Sequence, residues 1–297
     1  MEIYDDILNN SPSAGQGVQF SKEEYAAMKK AERDDVFALS DQTAIEVAED
    51  GDKFRQYLDT QARFDRYSAV NTLLIMAQMP EATKLGDFEH WKDRGASVKR
   101  GQTGIAILEP HEYTKEDGLP GTGYNIKKVF DVSQMDTRKA KAAPTPAHKY
   151  EERQLLKALI HKAPMKISGV DELPDDLGAV TDPDTGEISV RKGMEFADTF
   201  QNVAQELGYY EADRDADKIP INPSFVGYCT SYILCKKHGI DTQGFDFSPV
   251  SDVFRDKDAQ GIKKELSIIR DAAGEISGRM AKQLDAAQKS AANKEAR

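Results

Sequence analysis

The chain has 297 residues, enough for about two domains, with 39% hydrophobic and 31% charged residues. It holds no run of ~18 apolar residues, which excludes a transmembrane helix, and its acidic start, MEIYDDILNN, lacks a signal pattern, so the expected location is cytoplasmic. The formal net charge of −11 weighs against nucleic acid as a partner of the chain as a whole, but Lys84 to Lys162 carries a local net of +4 and the remainder −15.

Residues 1–20, with NNSPSAGQG, read as a loosely docked segment. Ser21 with Glu24 forms a capping-box pattern before EEYAAMKKAERDD. Ser40 or Asp41 is then expected to cap a second helix containing Ile45, Val47, Phe54 and Tyr57. Ser68 opens a third, with Val70, Leu73, Leu74 and Ala77 at helical spacing, and Pro80 ends it.

After that helix the apolar period shortens. Val98, Gly104–Leu108 and Val129–Val132 are short β-type runs, and the polar stretch between the last two predicts a twisted hairpin with a long tip. Gly118, Gly121 and Gly123 lack the Lys-Ser/Thr and helix start of a phosphate loop, so they read as turn glycines. KAKAAPTPAHKYEER has the composition of an interdomain linker.

The second half opens with a helix over EERQLLKALIHKA. Met165–Ile167 and the hairpin AVTDPDTGEISV follow, then helices over Ala197–Glu211 and Ser224–Lys237, with Gly239 as a left-handed cap. Leu266, Ile269, Ala273, Ile276, Met280 and Leu284 form one stripe of a long amphipathic helix, expected to pack on its own domain. Cys229 and Cys235 fall on different faces of a helix and read as buried thiols.

Two constellations bear on function. In the first, Lys84, Trp91, Lys92, Arg94, Lys99 and Arg100 place cations at turns beside the sole tryptophan. Cations can hold phosphates, and an exposed aromatic can stack on an unpaired base. Spacing alone favours a second reading, in which Trp91 is core and the cations solvate a turn. The run Tyr67-Ser68-Ala69-Val70-Asn71-Thr72-Leu73-Leu74-Ile75 is followed at consistent spacing by Ala77-Gln78, Pro80, Ala82-Thr83, Trp91, Gly95, Val98-Lys99, Gly101, Gly104-Ile105 and Ile107-Leu108-Glu109-Pro110. With Val129-Phe130-Asp131-Val132-Ser133-Gln134, these residues resemble the N-terminal domain of the ArdC antirestriction proteins over roughly residues 40–137. The resemblance implies a single-stranded-DNA-binding module carried by plasmids and conjugative elements. The best phosphate contacts are then Lys84, Arg94, Lys99 and Arg100, with Tyr67 and Trp91 as stacking residues.

In the second, Ala204-Gln205-Glu206-Leu207-Gly208-Tyr209, Ser231-Tyr232-Ile233-Leu234-Cys235 and Gly239-Ile240-Asp241-Thr242 resemble the C-terminal zinc-metallopeptidase domain of the same proteins. The family pattern is His-Glu-x-x-His plus a carboxylate from the next helix. Here Gln205 and Tyr209 stand at the histidine positions and Tyr228 near the acidic one. Glu206 alone keeps the base position. Amides and phenols are poor zinc donors, and a base without metal-bound water has little to activate. The resemblance therefore implies a degenerate, non-catalytic domain with no metal or other cofactor. The alternatives are a peptidase with non-standard ligands and a protein-binding module.

The expected fold is α+β in two domains: an N-terminal helical and β-hairpin module, and a C-terminal zincin-like helical domain with a small hairpin. Expected boundaries are 1–35 (N-terminal segment with a short helix), 36–140 (DNA-binding domain), 141–163 (linker and helix) and 164–290 (peptidase-like domain). Expected partners are single-stranded DNA and a host restriction or conjugation protein, and no membrane.

Overall fold

The computed structural model describes residues 21–115, 117–136, 150–182, 184–214, 220 and 222–295; the N-terminal segment 1–20 and most of the expected linker lie outside them. The described chain is α+β, as expected. It divides into two compact units, the first comprising residues 1–43 and 73–144 and the second residues 44–72 and 145–297.

Helix α1 spans Lys22–Glu49. The Ser21–Glu24 capping box forms as predicted: the Ser21 N–H donates to Glu24 Oε2 at 2.8 Å and the Glu24 N–H to Ser21 Oγ at 3.1 Å. No new helix begins at Ser40. Its side chain is buried and its hydroxyl donates back to the Phe37 carbonyl at 2.8 Å, a bond compatible with an uninterrupted helix. The break comes ten residues later, where Asp50 accepts from the Asp52 and Lys53 N–H groups and caps α2, Gly51–Arg63. Helix α3, Ala69–Gln78, starts where Ser68 predicts, with Ser68 Oγ accepting from the Asn71 N–H at 3.2 Å.

The first unit is built on a ribbon. Strand β1 is Leu85–Gly86, helix α4 is Phe88–Asp93 and β2 is Ser97–Val98. Strands β3, Ile105–Thr114, and β4, Pro120–Asp131, pair antiparallel over ten positions, from Ile105↔Val129 to Thr114↔Pro120. The expected long tip is thus mostly strand. Its residues look polar because both ribbon faces are exposed towards the tip, so there is no apolar alternation to read. β1 flanks β4, and β2 pairs with β5, Met135–Asp136.

In the second unit, α5 is Glu152–Ile160 and β6 is Ile167–Val170. β7, Ala179–Thr181, and β8, Ile188–Arg191, are antiparallel, and β6 joins β8 in parallel. Helices α6, Phe196–Asp213, and α7, Pro223–His238, follow. Gly239 closes α7 at φ 70°, the left-handed conformation that favours glycine. After the short α8, Val250–Val253, comes α9, Ala259–Glu295. The predicted stripe of α9 is buried at every position, and Ile276, Met280 and Leu284 share a core with Leu159, Phe200, Val203 and Leu207 of the same unit. Cys229 and Cys235 are free and buried, and burial pushes the Cys235 thiol up to about 12.

Helices α6 and α7 cross at glycines. A Cβ at Gly227 would lie 2.5 Å from the Gln205 carbonyl oxygen, and one at Gly208 would lie 3.0 Å from Gly227 Cα. This close approach sets where Gln205, Tyr209 and Tyr228 stand.

Candidate nucleic-acid interface

In the first unit, Asp131 organises the cationic turns. Its Oδ2 accepts from the Thr83 and Lys84 N–H groups at 2.7 and 2.8 Å, and its Oδ1 from the Ser133 N–H at 2.9 Å. Burial alone would raise its carboxyl, but these N–H groups outweigh it and hold the pKa below the ordinary value. Gln134 completes a capping box by accepting from the Asp131 N–H at 2.9 Å, and its amide donates to the Thr103 carbonyl at 2.8 Å. One short turn therefore fixes both the Lys84 segment and the start of β3. The Asp-x-x-Gln spacing in Asp131–Gln134 is the sequence signal for this hub.

The candidate phosphate contacts form two groups. Lys84 is half-buried, and Arg94 is exposed with Nη1 2.8 Å from the His90 ring. Burial and then the Arg94 charge lower the His90 pKa, with a smaller contribution from Lys84. Lys99 and Arg100 form the second group. Both are exposed on a turn completed by Gly101 at φ 80°, and Lys99 Nζ donates to the Ser133 carbonyl at 2.8 Å.

The two expected stacking residues sit in different settings. Trp91 is only 4% exposed, packs with Ala96 and Met135, and donates its indole N–H to the Phe130 carbonyl at 2.9 Å. The core reading of Trp91 is the one the geometry supports, because an indole with both faces packed has none to offer a base. Tyr67 belongs to the second unit. It is half-buried, lies edge-on to Phe64 and accepts through its carbonyl from Arg270 Nε at 3.2 Å.

At the position where a metal site was expected to be lost in the second unit, Glu206 Oε2 accepts from both the N–H and the hydroxyl of Thr181, at 2.9 and 2.7 Å. Tyr228 turns elsewhere: its hydroxyl accepts from the Asp246 N–H at 2.7 Å, and its ring lies 4.9 Å from Phe245. Gln205 and Tyr209 are half-buried on α6. This donor set, an amide, two phenols and a carboxylate already holding β7, does not fit a zinc ion. Among the described residues, no three His, Cys, Asp or Glu side chains come together to hold a metal. A separate cleft of about 750 Å³ in the same unit is lined by Asp65, Lys237, Arg270 and Asp271, and its cations are largely met by its own acids, as in Lys237–Asp65 and Arg270–Asp271.

These features define an α+β protein in which exposed cationic turns cluster on a ribbon-based unit and, among the described residues, a helical unit shows no metal-binding donor set. Residues 42–157 match the model of the N-terminal domain of the anti-restriction factor ArdC. An uncharacterized protein of Bacillus anthracis, pXO2-81, is 25% identical across 61% of this chain, and the matched region spans 39% of that relative's length. Two crystal structures of the antirestriction ArdC protein from the R388 plasmid are similar to it. The metal-free one is 16% identical at TM-score 0.48 and covers 73% of this chain and 86% of that one; the Mn(II)-bound one is 15% identical at TM-score 0.48 and covers 76% and 98%.

Proposed function

We propose that this chain is a single-stranded-DNA-binding accessory protein of the antirestriction type, carried by a plasmid or conjugative element, and that its second unit is a metallopeptidase-like domain without catalysis. The match of residues 42–157 to the ArdC N-terminal domain carries the first part. The arrangement of the cations supports it. Arg94 reaches the His90 ring, and Lys99 and Arg100 project from a turn anchored to Ser133. Cations at the rims of turns suit the irregular path of an unpaired strand, and their contribution falls with salt. The occupation of Glu206 by Thr181, together with the chemistry of Gln205, Tyr209 and Tyr228, supports the second part.

The test is binding of the full chain to an unpaired oligonucleotide at low salt, beside a duplex of the same length and an uncharged polymer. The reading expects preferential binding of the unpaired strand. Affinity no better than for the uncharged polymer would overturn it.

A further inference from the structure

The distal half of the β3–β4 ribbon carries two aromatic rings on one face, His111 and Tyr113, each opposite a glycine of the partner strand, Gly123 and Gly121. The rings lie across those glycines. A Cβ at Gly121 would sit 2.7 Å from Tyr113 Cζ and 2.9 Å from Cε1, and one at Gly123 would sit 2.6 Å from His111 Cε1 and Nε2. Only a residue without a side chain leaves room for a ring to lie down in this way. Tyr113 remains 49% exposed and His111 is exposed, so each ring shows one side to solvent. Their centroids are 6.4 Å apart, near the ~6.8 Å two-residue repeat of a strand, and their planes are inclined at 45°, so each ring presents its own face to a separate planar group.

The same face continues to Glu109, Asn125 and Lys127. Lys127 pairs with both Glu109 and Asp87, and Asp87 caps α4, the helix that carries His90. The rings thus lead along one contact path to the Lys84–His90–Arg94 group. Exposed flat aromatic faces suit planar bases, whose π faces they can stack on.

We propose that His111 and Tyr113 form a stacking platform for two adjacent unpaired bases, with the strand's phosphates running towards Arg94 and Lys84. This rests on the single-strand-binding reading above and supplies the stacking surface that Trp91 does not. The competing account is purely structural, with the rings shielding the glycine backbone of an exposed ribbon.

The experiment measures fluorescence anisotropy of a labelled oligothymidylate of ~20 nucleotides, and of an abasic strand of equal length, with the full chain. The platform predicts that His111→Ala/Tyr113→Ala weakens oligothymidylate binding about a hundredfold, while Tyr113→Phe stays within about twofold. Tyr113→Leu, which keeps bulk over Gly121 but loses the π face, weakens it about tenfold even if the double variant does not fold. The abasic strand binds wild type and double variant alike. Oligothymidylate binding by the double variant or by Tyr113→Leu at wild-type strength overturns the platform and leaves the DNA-binding reading standing. No binding of oligothymidylate by the wild type overturns both.

Discussion

Glu206 accepts two hydrogen bonds from Thr181, one from its backbone N–H at 2.9 Å and one from its hydroxyl at 2.7 Å. The Glu206 carboxylate thus fastens the edge strand β7 to helix α6. Glu206→Ala leaves the Thr181 N–H without its acceptor in a partly buried setting. The expected loss is about 1–3 kcal/mol of unfolding free energy, read by urea titration. Unchanged stability would show that the contact holds nothing.

The same occupation predicts weak metal affinity. Equilibrium dialysis against Zn²⁺ is expected to leave less than one equivalent on the purified chain, with no loss in Glu206→Ala. A full tight equivalent that disappears in Glu206→Ala or Tyr209→Ala would restore the enzyme reading.

The glycines offer a signed pair of substitutions. Gly227→Ala drives a methyl to 2.5 Å from the Gln205 carbonyl at the α6–α7 crossing, and backbone cannot swing aside as a side-chain tip does. A loss of about 1–3 kcal/mol is expected. Gly274→Ala and Gly278→Ala meet nothing within 4 Å on α9, where alanine is the better helix former, so each should gain about 0.5–1 kcal/mol. Thermal unfolding of the three variants checks both signs.

Much of this architecture was legible. Ser21–Glu24, Ser68, Gly239 and the α9 stripe are local signals that tertiary structure had no reason to override. Ser40 was misread because a serine bonded back to a carbonyl inside a helix and a serine opening one look alike in sequence. The length of β3 and β4 was hidden because a ribbon exposed on both faces loses its period of two. Trp91 could not be assigned from spacing, since its role depends on the Phe130 carbonyl, 39 residues away. The ring-on-glycine pairs were hidden for a similar reason: they need the register of two strands, and their glycines read as turn residues.

Asp131 gives a pH prediction. Its folded pKa is depressed, so its contribution is fully present above the unfolded value of ~3.9 and is lost as pH falls through the lower folded value. The wild type should therefore lose stability below about pH 4, and Asp131→Asn should lose less over the same interval. Unfolding midpoints between neutral pH and about pH 3 test this; parallel curves would remove Asp131 from the account.

The buried indole makes a spectroscopic prediction. Trp91 is the sole tryptophan, so its emission reports one site. Emission should be blue-shifted, poorly quenched by acrylamide and little changed by a bound oligonucleotide. Strong quenching on binding would return Trp91 to the interface.

The central claim is that exposed cations of the first unit hold the phosphates of an unpaired strand. Its most direct test is the salt dependence of oligothymidylate affinity for the wild type and for Lys99→Ala/Arg100→Ala. The slope of log K against log salt is expected to be negative for the wild type and shallower by about 1.4 in the double variant, as two single-strand phosphate contacts require. Equal slopes in the two proteins, or no salt dependence in either, would contradict it.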